Sequence, residues 1–277
     1  MRASGIVESA AGLGSHEHVG LAYSTPAEFE RAALAFLADG LALGQRAMFV
    51  RFHTAAPETE QLQALGDLDA LIERGQLIVK SLDHVADSWA DVVAAGHIGA
   101  LDRALHRALD AGFHGLRIAA DVTGVLREPT LRAGYTRWEH LVDEYTATHP
   151  FAALCGMDRS VLGDDLVSDL ACLHPLRHAP EHVAPFALFT DDNVLFLTGE
   201  VDAFGAPVLD RALASCEADH DPVTLDLSGL DFIDHCGVEV LNRFARRLDD
   251  AGLEFVIRGE PLLLPFLRTV VAPDGSE

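Results

Sequence analysis

The sequence predicts an α/β protein, a mostly parallel sheet with flanking helices followed by a second, smaller α/β unit. Apolar runs of strand length alternate with helix-length amphipathic stretches from residue 19 to residue 157, as in a parallel sheet wrapped by helices. Between residues 173 and 185 three prolines, together with His174, His178 and His182, interrupt every period and read as a linker. The 277 residues, 49% of them apolar, are enough for about two cores at roughly 150 residues per domain.

Taken in order, strands are expected over residues 19–23, 47–52, 77–82, 116–120 and 151–156. Between the first two, Thr25 stands as N-cap, Pro26 at the first helical position and Glu28 in the first turn. Phe29, Ala33, Phe36, Leu37 and Leu41 supply the apolar face of that helix, which stops within residues 40–44. Further helices are expected over 86–111, closed by Gly112, and over 129–148, closed before Pro150. With the boundary near residue 180, strands over 186–190 and 194–197 flank Asp191, Asp192 and Asn193 as a hairpin. A helix over 206–218, a strand over 223–227, a helix over 238–251, a strand over 255–258 and a last helix over 262–270 complete a unit of single-domain size.

Charge narrows the function. The net charge of −23 repels phosphate backbones and anionic lipid, so no nucleic acid and no membrane is expected as partner. No apolar run approaches the roughly 20 residues of a membrane span, and the N-terminus has no secretory pattern. Four cysteines without C-x-x-C spacing suit reduced thiols, hence a cytoplasmic location. Fourteen basic residues face 24 acidic ones before the boundary, and six face 19 after it. The second unit is therefore the more acidic per residue, and a docking partner should present a basic surface.

Residues 225–238, Leu-Asp-Leu-Ser-Gly-Leu-Asp-Phe-Ile-Asp-His-Cys-Gly-Val, read as strand, turn and helix start, with free amides around Cys236 and Gly237 that suit an anion. Together with Leu197-Thr198-Gly199-Glu200-Val201-Asp202 and Gly252-Leu253-Glu254-Phe255, this stretch resembles the STAS domain of anti-sigma-factor antagonists, over residues 184–273. The resemblance implies a small α/β domain that binds an anti-sigma factor of the serine-kinase type. The family's turn commonly reads Asp-Ser-Ser-Gly, and its second serine takes the phosphate that breaks the complex. Here the matching residues are Asp234, His235, Cys236 and Gly237, so a cysteine occupies the phosphoacceptor position. Docking through the turn survives this change, whereas switching by serine phosphorylation does not follow. A redox role for Cys236 is set against a plain turn-filling one, because the helix start lowers a thiol pKa while Asp231 and Asp234 raise it.

In the first unit the strand ends are polar: Tyr23-Ser24, His53-Thr54, Asp83-His84, Asp121 with Thr123, and Asp158-Arg159. Parallel neighbouring strands would gather them on one rim, the usual ligand edge of such sheets. A nucleotide enzyme is excluded, because the single lysine, Lys80, lies in an apolar strand without a phosphate loop and no G-x-G-x-x-G occurs. Neither H-E-x-x-H nor G-x-S-x-G is present, and the fourteen histidines, His16-Glu17-His18 included, show no ligand spacing. No metal and no cofactor is expected.

The order of short motifs nevertheless resembles the MEDS sensory domain, a RecA-like α/β fold without its phosphate loop, first described in a bacterial dichloromethane-responsive repressor. The matching residues run through His18-Val19-Gly20-Leu21-Ala22-Tyr23, residues 36–45 and 115–123, Trp138-Glu139, and Ala153-Leu154-Cys155-Gly156-Met157-Asp158, to Leu173-His174-Pro175. Trp138 replaces the tyrosine common in relatives. The expected domain spans residues 14–178, and the resemblance implies sensing of a small molecule. Candidate pocket residues are His18, Tyr23, Asp121 and Glu139, each with a structural alternative as a strand-rim or helix-surface polar group. The combined reading is a non-enzymatic bacterial signalling regulator, an anti-sigma-factor antagonist under control of a sensor, with room for a homo-oligomer. The alternatives are a metal- or ligand-dependent enzyme using the His/Asp rim, or a scaffold in a larger signalling complex.

Overall fold

A computed structural model describes residues 3–51, 61–81, 98–180, 182–183, 185–216 and 221–259. The first sheet comprises β1 (Gly5–Ile6), β2 (His18–Tyr23), β3 (Arg46–Arg51), β4 (Leu77–Ser81), β5 (Leu116–Asp121), β6 (Phe151–Asp158) and β7 (Leu176–His178). Their order is β1-β7-β2-β6-β5-β3-β4, and every neighbouring pair is parallel. The central strand β6 is buried at every position but its last, which explains why its apolar run does not alternate.

Helix α1 (Pro26–Ala42) follows β2 and buries Phe29, Ala33, Phe36 and Leu37, as its spacing requires. Pro26 sits in the first turn, but the Thr25 side chain makes no cap bond; instead Glu28 Oε2 accepts the Ser24 amide at 2.8 Å. The chain leaves the helix through Gly44 at φ +73°, where a Cβ would meet the His114 ring. Arg117 on β5 is fully buried; it donates to Gln45 Oε1 and to the carbonyls of Phe36, Leu13 and Gly14, pinning the N-terminal segment to α1. Short helices α2 (Leu68–Glu73), α3 (Gly99–Asp110) and α4 (Thr123–Leu126) precede the long α5 (Pro129–Thr148), and α6 (Arg159–Leu162) and α7 (Asp164–Ala171) follow β6.

The second sheet has the order β11-β9-β10-β12, from β9 (Val194–Val201), β10 (Val223–Asp226), β11 (Leu230–Ile233) and β12 (Phe255–Arg258). Strand β8 (Phe186–Asp191) pairs antiparallel with β9 across the expected hairpin, whose Asp192 and Asn193 take positive φ. Helices α8 (Ala206–Ser215) and α9 (His235–Asp250) complete the unit.

Several elements differ from expectation. The expected linker begins with structure: Leu173 and His174 are buried, and β7 lies between β1 and β2. Prolines flank this strand without entering it, so its ladder stays intact. The turn after β10 contains β11, which joins β9 across a register shift that the alternation of residues 228–233 conceals. Helix α9 starts at His235 instead of residue 238, and α6 and α7 fill a stretch assigned no element. Residues 86–97 of one expected helix, and the last helix over 262–270, lie outside the described residues.

The two units share a core. One continuous apolar cluster joins Tyr135, Trp138 and Val142 of α5 and Val167 and Leu170 of α7 with Leu188, Leu197, Leu209 and Leu213 of the second unit. Hydrogen bonds cross the same boundary: the Leu188 amide donates to Cys172 O at 2.7 Å, the Thr190 amide donates to Asp143 Oδ2 at 2.8 Å, and Arg211 grips Asp169 with both Nε and Nη2.

Candidate functional site

The first unit encloses a polar cluster where its core should be driest. His18 opens β2, Glu139 and Asp143 lie one turn apart on α5, Cys155 is central in β6, and His174 follows α7. The register sets Gly20 opposite Cys155, and the missing side chain leaves room for the His174 ring, 2.9 Å from where a Cβ would stand. His18 Nε2 lies 3.1 Å from Glu139 Oε2 and its Nδ1 3.3 Å from Asp143 Oδ1. His174 Nε2 is 3.4 Å from Glu139 Oε2, and its Nδ1 donates to Leu170 O at 3.0 Å. Cys155 Sγ stands 3.8 Å from His18 Nε2 and 3.9 Å from Glu139 Oε2. All five residues are buried.

The electrostatics follow from this packing. Burial would raise the Glu139 pKa, but His174, His18 and the Tyr135 hydroxyl outweigh it and hold the carboxylate ionised down to about 2. Burial, with His18 close by, lowers His174 to about 4, so this imidazole is neutral. Burial also works against protonation of His18, yet the bonds to Asp143, Cys155 and Glu139 raise it well above its ordinary value. Burial and then Glu139 push the Cys155 thiol up to about 11.

The structure divides the sequence-predicted pocket residues into two places. His18 and Glu139 meet in this cluster, whereas Tyr23 and Asp121 lie at the carboxyl ends of β2 and β5. At that rim the groups engage one another: Tyr23 Oη lies 3.3 Å from Thr123 Oγ1, Asp121 Oδ1 accepts the Thr123 amide, and Thr123 Oγ1 accepts the Asp158 amide. Tyr23, Asp121 and Thr123 are buried, and His53-Thr54 and Asp83-His84 lie outside the described residues. Cys155, His174, Asp143 and Tyr135 escape sequence reading because their elements meet only in the fold; adjacent His16-Glu17-His18 is a misleading signal. Between the sheet, α3 and α5 a mainly apolar cavity of about 360 Å³ reaches Cys155, lined by Met48, Ile118, Tyr135, Trp138 and Val142, with Lys80, Arg103 and Arg107 also in its wall.

In the second unit, the turn ahead of α9 is open. His235 is exposed, Asp234 and Cys236 are half-buried, and Phe232 on edge strand β11 is 50% exposed. Phe204, in the turn after β9, is 89% exposed. The amides expected to attract an anion are already occupied: Asp234 Oδ1 accepts from Cys236 N at 2.8 Å and Gly237 N at 3.1 Å, capping the helix from within. Desolvation, then Asp234 and Glu239, raise the Cys236 thiol above its ordinary value. Gly237 packs so closely that a Cβ would stand 2.6 Å from Ile233 Cγ1.

Comparison with known families accords with both halves. Residues 17–175 match the family model of MEDS, the MEthanogen/methylotroph, DcmR Sensory domain, and residues 187–260 match that of the STAS domain. No curated protein matches the chain. Among the described residues, no helix is long and apolar enough to cross a membrane. The MEDS match covers more than half of the sequence, and the chain belongs to the MEDS family, its sensory domain followed by a STAS domain.

Proposed function

We propose that this chain is a non-enzymatic cytoplasmic regulator whose STAS domain binds an anti-sigma factor of the serine-kinase type, under control of a small apolar molecule sensed by the MEDS domain. The observation that carries the reading is the accessible surface around residues 231–239, where Phe232 and His235 face outward beside a firmly capped helix start. The acidic charge of the second unit favours a basic partner surface and speeds encounter with it. The apolar cavity beneath α5 suits a small hydrophobic ligand.

With Cys236 in place of the family's serine, this turn offers a kinase no serine hydroxyl at that position. Control then passes through the boundary between the domains, where α5 and α7 share a core with the STAS sheet. A ligand controls such an assembly only by binding two arrangements of that boundary unequally.

The test is retention of the anti-sigma serine kinases of the native host on the immobilised full chain. At least one should be retained, and Phe232→Asp should weaken it more than tenfold while leaving the melting temperature near that of the wild type. Absence of retention across the whole set contradicts the reading.

A further inference from the structure

The buried cluster of the MEDS domain brings together four donor atoms of metal-binding type. His18 Nε2, Glu139 Oε2, Cys155 Sγ and His174 Nε2 all lie within 4.8 Å of one another. Bonds of about 2.0–2.1 Å to nitrogen or oxygen and about 2.3 Å to sulfur set the corners of a tetrahedron roughly 3.3–3.6 Å apart. The separations of 3.1 and 3.4 Å between nitrogen and oxygen, and of 3.8 and 3.9 Å to sulfur, come within a few tenths of an ångström of those edges.

Two further observations point to a cation. Each imidazole engages a neighbour through Nδ1, His18 with Asp143 and His174 with Leu170 O, which turns both Nε2 atoms inward; His18 gives up its Nε2 proton when a cation binds. His174 Nε2 and Glu139 Oε1 are buried without a hydrogen-bond partner, the 3.4 Å approach of His174 to the carboxylate falling outside hydrogen-bond geometry. Such an atom in a packed interior is costly unless something else engages it.

We propose that His18, Glu139, Cys155 and His174 form a closed four-ligand site for one divalent transition-metal cation of the zinc type. Two nitrogens, a sulfur and a carboxylate oxygen suit such an ion better than magnesium or calcium, which favour all-oxygen sets. With four protein ligands and burial, the site has no open position for a reacting water, so the metal is structural or regulatory. Asp143 connects it to the STAS domain, since its Oδ1 faces His18 and its Oδ2 holds the Thr190 amide of β8. This proposal replaces the sequence-based expectation of no metal and stands independently of the partner assigned above.

The full chain, stripped with a chelator and dialysed, is titrated with Co²⁺, and with Zn²⁺ in competition with a chromophoric chelator. One cation per chain is expected, with the visible bands of tetrahedral cobalt and a thiolate-to-cobalt charge-transfer band. Cys155→Ser should abolish the charge-transfer band, and His174→Gln and Asp143→Asn should each lower affinity at least tenfold. Cys236→Ser should change neither, separating this site from the group of half-buried Asp234 and Cys236 with exposed His235. Circular dichroism identifies any variant that fails to fold, and the wild-type and Cys236→Ser chains then decide. Failure of the wild-type chain to bind one cation, an octahedral cobalt spectrum, loss of the band in Cys236→Ser, or an unchanged spectrum in folded Cys155→Ser would each overturn the proposal.

Discussion

At the scale of single residues, the fold depends on polar groups placed where only complete hydrogen bonding tolerates them. Arg117 is the clearest case, a buried guanidinium whose partners include three backbone carbonyls and Gln45. Arg117→Met keeps much of the volume but leaves these acceptors without a donor, and should cost about 1–3 kcal/mol in denaturant unfolding. At the other end, Asp234→Ala removes the carboxylate that caps α9 through two amides. That substitution should lower stability by about 1 kcal/mol, read from the denaturation midpoint at unchanged slope. A third residue, Gly20, provides room through its lack of a side chain. Gly20→Ala places a methyl 2.9 Å from the His174 ring and should destabilise the chain by about 1–3 kcal/mol in the same assay.

At the scale of elements, what the sequence reveals depends on how local the signal is. Helix α1 is readable because Pro26 marks its start and the spacing of Phe29, Ala33, Phe36 and Leu37 defines one face. The hairpin of β8 and β9 is equally local, carried by Asp192 and Asn193 at positive φ. Strands β7 and β11 are not readable, because three or four residues beside prolines or glycines carry too short a pattern and their pairing comes from β2 and β9. For the same reason His18 and Glu139 are recognisable as polar residues in a motif, while their meeting with Cys155 and His174 comes from the packing of β2, β6, α5 and the turn after α7. Packing likewise ranks the contacts between the domains. Leu188→Ala in β8 should cost about 2–5 kcal/mol, whereas Arg211→Ala, which frees the partly exposed Asp169, should cost about 1 kcal/mol or less. Similar costs in the two variants would contradict the assignment of the boundary to its apolar part.

At the scale of the whole molecule, sensor and output are joined by a common core, with α5 serving both. One face of α5 carries Glu139 and Asp143 toward the buried cluster, and the same helix packs Trp138 and Val142 into the cluster shared with the STAS sheet. A disturbance at the sensor therefore has a short physical route to β8 through Asp143 and Thr190. In the proposed function the exposed turn of the acidic second domain is assigned to a partner. Amide hydrogen exchange of the full chain, with and without a retained anti-sigma factor, tests this arrangement most directly. The account predicts added protection across residues 231–241 on binding; protection confined to the MEDS domain, with that stretch unchanged in the complex, would contradict it.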